Sequence, residues 1–338
     1  MRRVLLLEDA DWGGVQTITQ TLVSALSNHG WSITCLNWRQ TSWTQLAHHA
    51  RASNVLLASH NFGPTYAGVA LKALSGKPLI SWVHGPLQPV LRTANSSWLK
   101  KSWLHLLYRQ VDAFVSVSRT TEASLLDFMR GLGSHHPTSH VIPNGLAPLP
   151  PGQPLHVHAG HGGDTGIEPL LLGLIGRLAL EKRPGFAMET LRLLPDNAQL
   201  GIVGEGPLHR QMVHEGMDLL QQGRLHFLGK HPSGASLYTP WNMTLITSRY
   251  EGCPMTALES MACGVPCVAV PIPAMRELLD RDAPYLLARG ETPAALAEAV
   301  IMVMSLPQKQ VQSDIARLVA RHSVDNFCQR WQEVLNAC

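Results

Sequence analysis

Glu251 and Glu259 have the type and spacing of residues that bind a polar ligand. They bracket a loop and the start of a helix within residues 248–270, with a turn at 252–254 between them. Carboxylates accept hydrogen bonds from hydroxyl groups, and the free N–H groups at a helix N-terminus attract an anion. The stretch therefore predicts a site for a ligand that carries phosphates at one end and hydroxyls at the other.

The flanking residues predict a βαβ unit that would position these carboxylates. Apolar residues 243–247 indicate a buried strand, the helix follows the turn, residues 263–266 stop it, and residues 268–270 belong to a second strand. A helix is the usual connection between two neighbouring parallel strands. In such sheets, ligands bind at the carboxyl ends of the strands.

Charged residues follow other predicted strands in the same manner. The strand at 169–176 precedes Arg177 and Lys182, and the strand at 79–83 precedes His84. Arg and Lys supply positive charge, and a His at the carboxyl end of a parallel strand faces the ligand crevice. These three side chains are therefore candidate site residues.

Gly13 and Gly14 separate a strand predicted at 3–7 from a helix predicted at 15–26. Glycine allows a backbone to approach a ligand closely, and it also suits an ordinary turn. Since the full G-x-G-x-x-G pattern is missing, a dinucleotide site is only weakly indicated.

The alternation of strands and helices predicts an α/β protein with two doubly wound, Rossmann-like domains facing each other across a cleft. The N-terminal domain is predicted at 1–150, the C-terminal domain at 169–318, and a last helix at 319–338 that crosses back to the N-terminal domain. A segment rich in Pro, Gly and His, residues 151–168, is expected to be the linker. Helical spacing continues from 311 to 336.

Composition excludes several classes of protein. No run of about 18 apolar residues occurs, so no transmembrane helix is expected. Acidic residues at 8, 9 and 11 interrupt the N-terminal apolar run, which argues against a signal peptide. The six cysteines are scattered, so buried thiols in a reducing cytosol are expected rather than disulfides or zinc.

Charge is unevenly distributed. Residues 1–165 carry 12 Lys and Arg against 7 Asp and Glu, whereas residues 166–338 carry 15 against 17. A basic first half suits an anionic partner, such as a phosphorylated acceptor or a membrane surface, and it also suits ordinary scatter.

One basic helix, predicted at 97–109, has two interpretations. Leu99, Trp103, Leu106 and Leu107 share a face, and lysines lie elsewhere on the helix. Such a helix can rest in a membrane interface, or it can bury this face inside its domain. The sequence leaves both open.

Together, these motifs resemble those of the retaining GT-B glycosyltransferases, and most of all glycosyltransferase family 4. The pattern Ser248-x-x-Glu251-Gly252-x-Pro254, followed by Glu259, is similar to the family's signature. The motifs run in the family's order over nearly the whole chain. The other matching motifs are Gly176–Leu178, Glu181–Pro184, Val203–Pro207, Phe227–Gly229, Ala262–Val268, Val115–Ser118 and Val141–Gly145.

The resemblance implies a role for each matched residue. Glu259 would bind the ribose hydroxyls of a nucleotide-sugar donor, and Glu251 would bind the sugar hydroxyls, with the backbone of residues 252–255 nearby. Arg177 and Lys182 would stabilise the charge on the leaving diphosphate. His84 would contact the sugar near the bond that breaks.

The resemblance also implies that several glycines lie in turns near the nucleotide-sugar donor. Gly204 lies in the family's glycine turn, and Gly229 in the turn nearest the base. Gly13 and Gly14 would pass close to the phosphates or the acceptor. Since Arg177 and Lys182 would supply the positive charge that a diphosphate needs, neither a metal nor another cofactor is expected.

Three positions depart from the family's pattern. Cys253 stands where a larger apolar residue is common, and Gln16 stands where a glutamate is frequent. Asn242 occupies the region of a usual acidic residue before the strand at 243.

The expected function is that of a retaining, metal-independent hexosyltransferase. It would move a sugar from a UDP- or GDP-sugar to a hydroxyl of a glycan or lipid-linked acceptor, in the synthesis of lipopolysaccharide or another cell-surface polysaccharide. Retention is implied by the family, and the expected location is the cytoplasm, at the inner face of the membrane if the 97–109 helix binds there. The alternatives are a related nucleotide-sugar epimerase, a phosphorylase, for which no pyridoxal-phosphate lysine is evident, and a non-catalytic nucleotide-sugar-binding protein.

Overall fold

The computed structural model describes residues 2–9, 14–130, 137–153, 155 and 168–338. By its contacts, the chain divides into an N-terminal unit, residues 1–147 and 322–338, and a C-terminal unit, residues 148–321. Most of the expected linker, at 154 and 156–167, lies outside the described residues.

The N-terminal unit contains a parallel sheet with the strand order β2-β1-β3-β4-β5-β6. Its strands are β1 Arg3–Glu8, β2 Ser32–Asn37, β3 Val55–Ala58, β4 Leu79–Val83, β5 Ala113–Ser116 and β6 Thr138–Val141. Central strands such as β3 and β4 are buried along their whole length, because helices cover both faces of a parallel sheet. This explains their continuous apolar sequences.

Helices connect these strands. They are α1 Gly14–Asn28, α2 Trp43–Ala52, α3 Gly63–Ser75, α4 Leu87–Thr93, α5 Trp98–Tyr108 and α6 Arg119–Met129. Serine hydroxyls cap the N-termini of α2, α5 and α6, where Ser42, Ser97 and Ser118 accept backbone hydrogen bonds.

The C-terminal unit contains a second parallel sheet with the order β11-β10-β7-β8-β9. Its strands are β7 Leu170–Ile175, β8 Ala198–Val203, β9 Leu225–Gly229, β10 Met243–Ile246 and β11 Cys267–Ala269. The later helices are α7 Pro184–Arg192, α8 His209–Glu215, α9 Met217–Gln221, α10 Met255–Ala262, α11 Pro273–Leu279, α12 Pro293–Ser305, α13 Gln308–Ala320 and α14 Val324–Ala337. Short 3₁₀ turns occur at Leu180–Lys182, Ala235–Leu237 and Pro284–Leu286. The predicted βαβ unit is confirmed, because β10, α10 and β11 follow each other and the two strands pair in parallel.

The continuous helix expected from 311 to 336 is wrong, because α13 and α14 are separate. Ser323 caps α14 by accepting the N–H of Asn326, and the preceding carbonyl of His322 accepts the N–H of Leu146. The chain must leave the helical path to make this pairing. In the N-terminal unit, α14 then buries Trp331, whose ring lies 4.8 Å from that of Trp82 on β4.

Helix α5 buries a different side from the one that its leucines suggest. Leu104 and Tyr108 are buried, whereas Leu99, Trp103 and Leu106 are exposed. The alternative in which that face packs inside the domain is therefore wrong for Leu99, Trp103 and Leu106, whereas Leu107 of the same face is partly buried against the core. Tyr108 anchors the helix through its bond to the Asn61 carbonyl. None of the helices in the described parts of the chain is long and apolar enough to cross a membrane.

All six cysteines are free thiols. Cys267 and Cys328 are buried, but Cys35 and Cys338 are exposed. The expectation of buried thiols is therefore wrong for the latter two, which occupy an exposed position on β2 and the end of the chain.

Gly204 allows two neighbouring strand ends to approach each other closely. It follows β8 with a φ of 141°, and a Cβ atom there would overlap the carbonyl oxygen of Gly176 after β7. Its N–H donates to the carbonyl of Gly229 at 2.8 Å, so three strand ends meet at this point.

Replacing Gly204 by Ala should therefore destabilise the C-terminal unit strongly. The substitution adds a steric overlap with backbone to an unfavourable φ, so we expect a loss of about 3 kcal/mol or more in the free energy of unfolding, measured in urea. Gly223→Ala is the matched control, because its φ is 67° and a Cβ there meets nothing within 4 Å. It should lose only about 1–2 kcal/mol. Equal losses in the two variants would contradict the proposed overlap.

Candidate functional site

The carboxyl ends of β7 and β10 form the topological switch point of the C-terminal unit. From β7 the chain proceeds through β8 and β9 on one side, and then returns to β10 and β11 on the other. Ligand crevices of open α/β sheets lie at such points. A small cavity does lie here, lined in part by Arg177, Lys182 and Ser248.

Lys182 and Glu251 meet at this switch point. The Lys182 Nζ lies 2.5 Å from Glu251 Oε1, and the Ser248 hydroxyl donates to the same oxygen at 2.6 Å. The Glu251 side chain is largely buried, which strengthens the attraction. The two residues are 69 positions apart in the sequence, so the sheet topology brings a cation and a carboxylate together.

Arg177 lies at the same strand end but is paired differently. Its guanidinium donates to Glu181 at 2.9 Å, and its side chain is 69% exposed. An ion pair with a residue four positions away in the sequence is a common structural role for an arginine. An exposed ion pair of this kind is weak, so the Arg177 guanidinium can exchange Glu181 for an anionic ligand at little cost.

Glu259 lies on α10 and is buried. The Tyr238 hydroxyl donates to its Oε2 at 2.5 Å. Burial raises the pKa of Glu259, and the Tyr238 hydrogen bond partly opposes that shift. The second oxygen retains lone pairs that can accept hydrogen bonds from ligand hydroxyls.

The N-terminus of α10 presents backbone groups beside Glu251. Gly252 and Cys253 form the turn, Pro254 is the N-cap, and no side chain caps the helix. Since the first N–H groups of a helix have no partner within it, those of Met255 and the next residue are available to an acceptor. This segment can bind an anion through backbone alone.

Asn242 joins the start of β10 to β7 through two hydrogen bonds. Its side-chain oxygen accepts the N–H of Leu171 at 2.7 Å, and its backbone N–H donates to the Leu171 carbonyl at 2.8 Å. Asn242 therefore connects the segment before β10 to β7 through both its side chain and its backbone.

His84 follows β4 in the N-terminal unit. Its Nε2 lies 2.8 Å from the Ser59 carbonyl, so Nε2 carries the proton and Nδ1 is free to accept a hydrogen bond. Burial lowers the pKa of His84 to about 3, with a smaller contribution from the neighbouring His60. The imidazole is therefore neutral at physiological pH, and its ring lies 4.5 Å from that of Trp82.

The glycine pair of the first turn is only half described. Gly14 is exposed and begins α1, whereas Gly13 lies outside the described residues.

Asp9 and His60 form a polar cluster that sequence reasoning missed. They follow β1 and β3, which flank the switch point of the N-terminal sheet, and their side chains lie 3.0 Å apart. The Asp9 carboxylate also accepts from the Trp38 indole at 2.5 Å and from Arg39 at 2.9 Å. The signal was present, since Asp9 directly follows the strand β1 and His60 lies two residues beyond the end of the apolar strand β3.

No group of three His, Cys, Asp or Glu within the described ranges is arranged to hold a metal ion. The linker histidines at 156, 158 and 161 lie outside those ranges. The absence of a metal cofactor stays an expectation.

Two family models match the chain. A model of the group 1 glycosyl transferases matches residues 169–305, which include Lys182, Glu251 and Glu259, and a model of Glycosyltransferase Family 4 matches residues 35–148, which include His84. The resemblance inferred from the motifs is confirmed.

Relatives of known activity are similar to parts of the chain. A GDP-mannose-dependent alpha-(1-6)-phosphatidylinositol dimannoside mannosyltransferase of Mycobacterium tuberculosis is 30% identical over 168 residues, which cover 48% of this chain and 41% of that protein. An N-acetyl-alpha-D-glucosaminyl L-malate synthase of Bacillus anthracis is 31% identical over 105 residues, which cover 31% of this chain and 28% of that protein. The chain thus matches less than half the length of these relatives.

Solved structures share the fold. Anabaena HepE, in complex with UDP and glucose, superimposes with a TM-score of 0.78 at 16% identity over 100% of both chains. A sucrose-phosphate synthase from Thermosynechococcus elongatus gives a TM-score of 0.73, also at 16% identity and over 100% of both chains. The predicted fold class is confirmed.

The neutral state of His84 predicts a pH dependence of stability. The unfolded chain binds a proton there near pH 6.5, whereas the folded protein binds it only near pH 3. The contribution of His84 to the free energy of unfolding is therefore fully present above pH 6.5. It is lost as the pH falls, by about 1.4 kcal/mol per pH unit. Between pH 7 and pH 5, wild type should lose about 2 kcal/mol more than His84→Gln in urea unfolding. His48→Gln, which alters an exposed histidine of the same unit, should behave like wild type; a His84→Gln profile parallel to wild type would refute the assignment.

Proposed function

Because this chain belongs to glycosyltransferase family 4 and has the GT-B fold, we propose that it transfers a hexose from a nucleoside-diphosphate sugar to a hydroxyl group with retention of the anomeric configuration. The acceptor is a glycan or a lipid-linked glycan, as cell-surface polysaccharide synthesis requires. The relatives support a nucleotide-sugar donor, since one is named for GDP-mannose and the HepE structure contains UDP.

The observation that carries this proposal is the convergence at the β7–β10 switch point. A Lys182 ammonium, a Glu251 carboxylate and an uncapped helix N-terminus lie at one edge of the C-terminal sheet. A diphosphate needs cations and N–H donors, and a sugar needs hydrogen-bond acceptors. The site offers both kinds of group side by side.

The proposed donor position follows from this chemistry. The diphosphate binds Lys182 and the α10 N-terminus, with Arg177 turning from Glu181 to the phosphates. Glu251 accepts hydrogen bonds from the sugar hydroxyls, and Glu259, held by Tyr238, accepts them from the ribose. Gly204 and Gly229 line the base and ribose side without obstructing side chains.

The transfer step proceeds on one face of the sugar. The bond from the anomeric carbon to the diphosphate oxygen breaks, and the acceptor oxygen forms its bond to the same carbon from the same side. The acceptor proton passes to the departing phosphate oxygen, so no protein nucleophile is needed. Lys182 and Arg177 stabilise the charge that develops on the phosphate. Neutral His84 accepts a hydrogen bond from a sugar hydroxyl through Nδ1.

Substitutions should separate donor binding from transfer. Glu259→Ala should weaken binding of UDP or GDP about tenfold by calorimetry, because the ribose loses a charged acceptor. Lys182→Ala should abolish the slow release of nucleoside diphosphate by hydrolysis of the nucleotide sugar. Removing one preorganised hydrogen-bond donor that stabilises the transition state costs about 10²–10³ in rate. His84→Ala should bind nucleotide normally and transfer slowly.

Glu189→Ala provides the control, because Glu189 is an exposed carboxylate on α7 of the same unit. It should match wild type in both assays. If Lys182→Ala and Glu259→Ala also matched wild type, the assigned site would be incorrect. A product with inverted configuration would exclude the same-face mechanism, and epimerised donor without transfer would favour an epimerase.

We further propose that α5 places the enzyme on a membrane that carries its acceptor. Trp98, Leu99 and Leu106 are 73%, 61% and 62% exposed. With Trp103, they span an arc of about 140° at 100° per residue, and Lys100 and Lys101 border that arc on either side. Residues 87–111 contain no Asp or Glu. An apolar arc with aromatic rings and basic borders suits the interface of an anionic bilayer.

Vesicle binding tests this surface. Wild type should cosediment with vesicles of phosphatidylcholine and phosphatidylglycerol and bind weakly to phosphatidylcholine alone. Leu106→Glu should abolish binding, and Lys100→Glu should weaken it more than fivefold, since each basic residue near the surface contributes about 1 kcal/mol. Trp43→Ser and Arg51→Glu alter an exposed tryptophan and an exposed arginine of α2, so they should bind as wild type does. Equal binding by Leu106→Glu and wild type would refute the proposal.

A further inference from the structure

We infer that Arg183 is a positioning residue that holds Lys182 and Glu251 in register by fastening the loop after β10. The inference rests on the proposed function only in that it assigns those two side chains to the donor site. The observations that support it concern the backbone conformation of Arg183, its hydrogen bonds and its neighbours.

Arg183 has a conformation that is unfavourable for its residue type. Its φ is 47° and its ψ is 54°, in the left-handed region, and it directly precedes Pro184. A side chain in this region meets the backbone unfavourably, and a following proline restricts the residue further. Such strain persists where surrounding contacts enforce it, and it often accompanies a functional site.

The Arg183 guanidinium binds two successive carbonyl groups at the end of β10. Nε donates to the Thr247 carbonyl at 2.6 Å, and Nη2 donates to the Ser248 carbonyl at 3.0 Å. Nη1 lies 3.3 Å from Glu291, which opposes the lowering of the Arg183 pKa by burial. Only a forked, planar cation can bind two adjacent carbonyls in this way.

Two more hydrogen bonds connect the same two segments. The Thr247 hydroxyl donates to the Lys182 carbonyl at 2.7 Å, and the Arg249 N–H donates to the Glu181 carbonyl at 2.8 Å. The 3₁₀ turn that carries Lys182 is thereby joined to the loop that carries Glu251. The distance between the Lys182 ammonium and the Glu251 carboxylate therefore depends on these connections.

Arg183 acts through other residues, because its guanidinium is committed to protein acceptors on all three nitrogens. Its ring neighbour is Phe186, whose ring centroid lies 4.9 Å from the guanidinium carbon. Loss of the fork should loosen the loop and leave Lys182 and Glu251 chemically intact. The effect on donor binding and turnover would then arise from their altered spacing.

Two substitutions separate the effect of the forked hydrogen bonds, from the Arg183 guanidinium to the Thr247 and Ser248 carbonyls, from the effect of the strained Arg183 backbone. Arg183→Lys keeps the charge and the strained backbone but loses the fork, whereas Arg183→Gly loses the fork and relieves the strain. Arg192→Lys is the control, because Arg192 also forks, onto Asp218 and the Glu215 carbonyl, between α7 and α9.

The first measurement is independent of activity. Hydrogen exchange followed by mass spectrometry should show the amides of segment 247–253, which include the Arg249 amide bonded to the Glu181 carbonyl, exchanging about fivefold to thirtyfold faster in both Arg183 variants, because each lost hydrogen bond contributes about 1 kcal/mol to closing the loop. Arg192→Lys should leave these amides unchanged. Unchanged exchange in both Arg183 variants would overturn the inference.

The second measurement is a double-mutant cycle on kcat/KM for donor hydrolysis. Arg183→Lys should lower kcat/KM about tenfold in wild type but by less than twofold when Glu251 is already Gln, since the loop then has no carboxylate to position. Equal losses in the two backgrounds would overturn the inference. If wild type neither bound nor hydrolysed a donor, the proposed function would fail, and faster loop exchange would still establish that Arg183 fastens the loop.

Discussion

Burial on both faces of the two parallel sheets is the constraint on which the rest of this protein depends. Strands such as β3 and β8 are buried along their whole length, so they can carry almost no polar chemistry within the sheet. Within the strands, Asp, Glu, Lys and Arg are therefore confined to the strand ends, and the charged residues of the candidate site lie on the loops and helices that follow. This confinement concentrates Lys182, Glu251 and the glycine turns at one edge, and Asp9, His60 and His84 at the corresponding strand ends of the other sheet.

The Lys182–Glu251 ion pair is a partly buried charge pair that lies at these strand ends. A partly buried pair loses hydration, and it persists here because Ser248 adds a hydrogen bond and the loops are joined by backbone contacts. The pairing keeps both charges satisfied before a ligand arrives. In the proposed mechanism, a diphosphate exchanges with Glu251 at the Lys182 ammonium, which releases the carboxylate toward the sugar hydroxyls. Binding of the two ends of the donor is thereby coupled.

Burial also shifts the pKa values of His84 and Glu259. His84 is neutral because an imidazolium would lose its hydration, and Glu259 has a raised pKa for the same reason. Tyr238 moderates the second effect by donating to the carboxylate. Both groups are therefore suited to accept or exchange hydrogen bonds with uncharged hydroxyls rather than to bind ions.

Most of the fold was predictable because hydrophobic periodicity and turn residues are local signals. The runs at 79–83, 198–203 and 225–229 coincide with β4, β8 and β9, and the glutamate motif lies on the loop and helix expected for it. The break between α13 and α14 was not predictable in this way. It depends on a pairing of Leu146 with His322, which are 176 positions apart.

The sequence by itself determined the family, the α/β class and the candidate residues, because each depends on residue type and short spacing. Tertiary structure decided which partners those residues have. Lys182 bonds to Glu251 across 69 positions, and Glu259 bonds to Tyr238 across 21 positions. It also decided which side of α5 is buried, since a helix with apolar residues on two sides can pack by either of them. Such choices depend on contacts between distant segments, and local spacing carries no information about them.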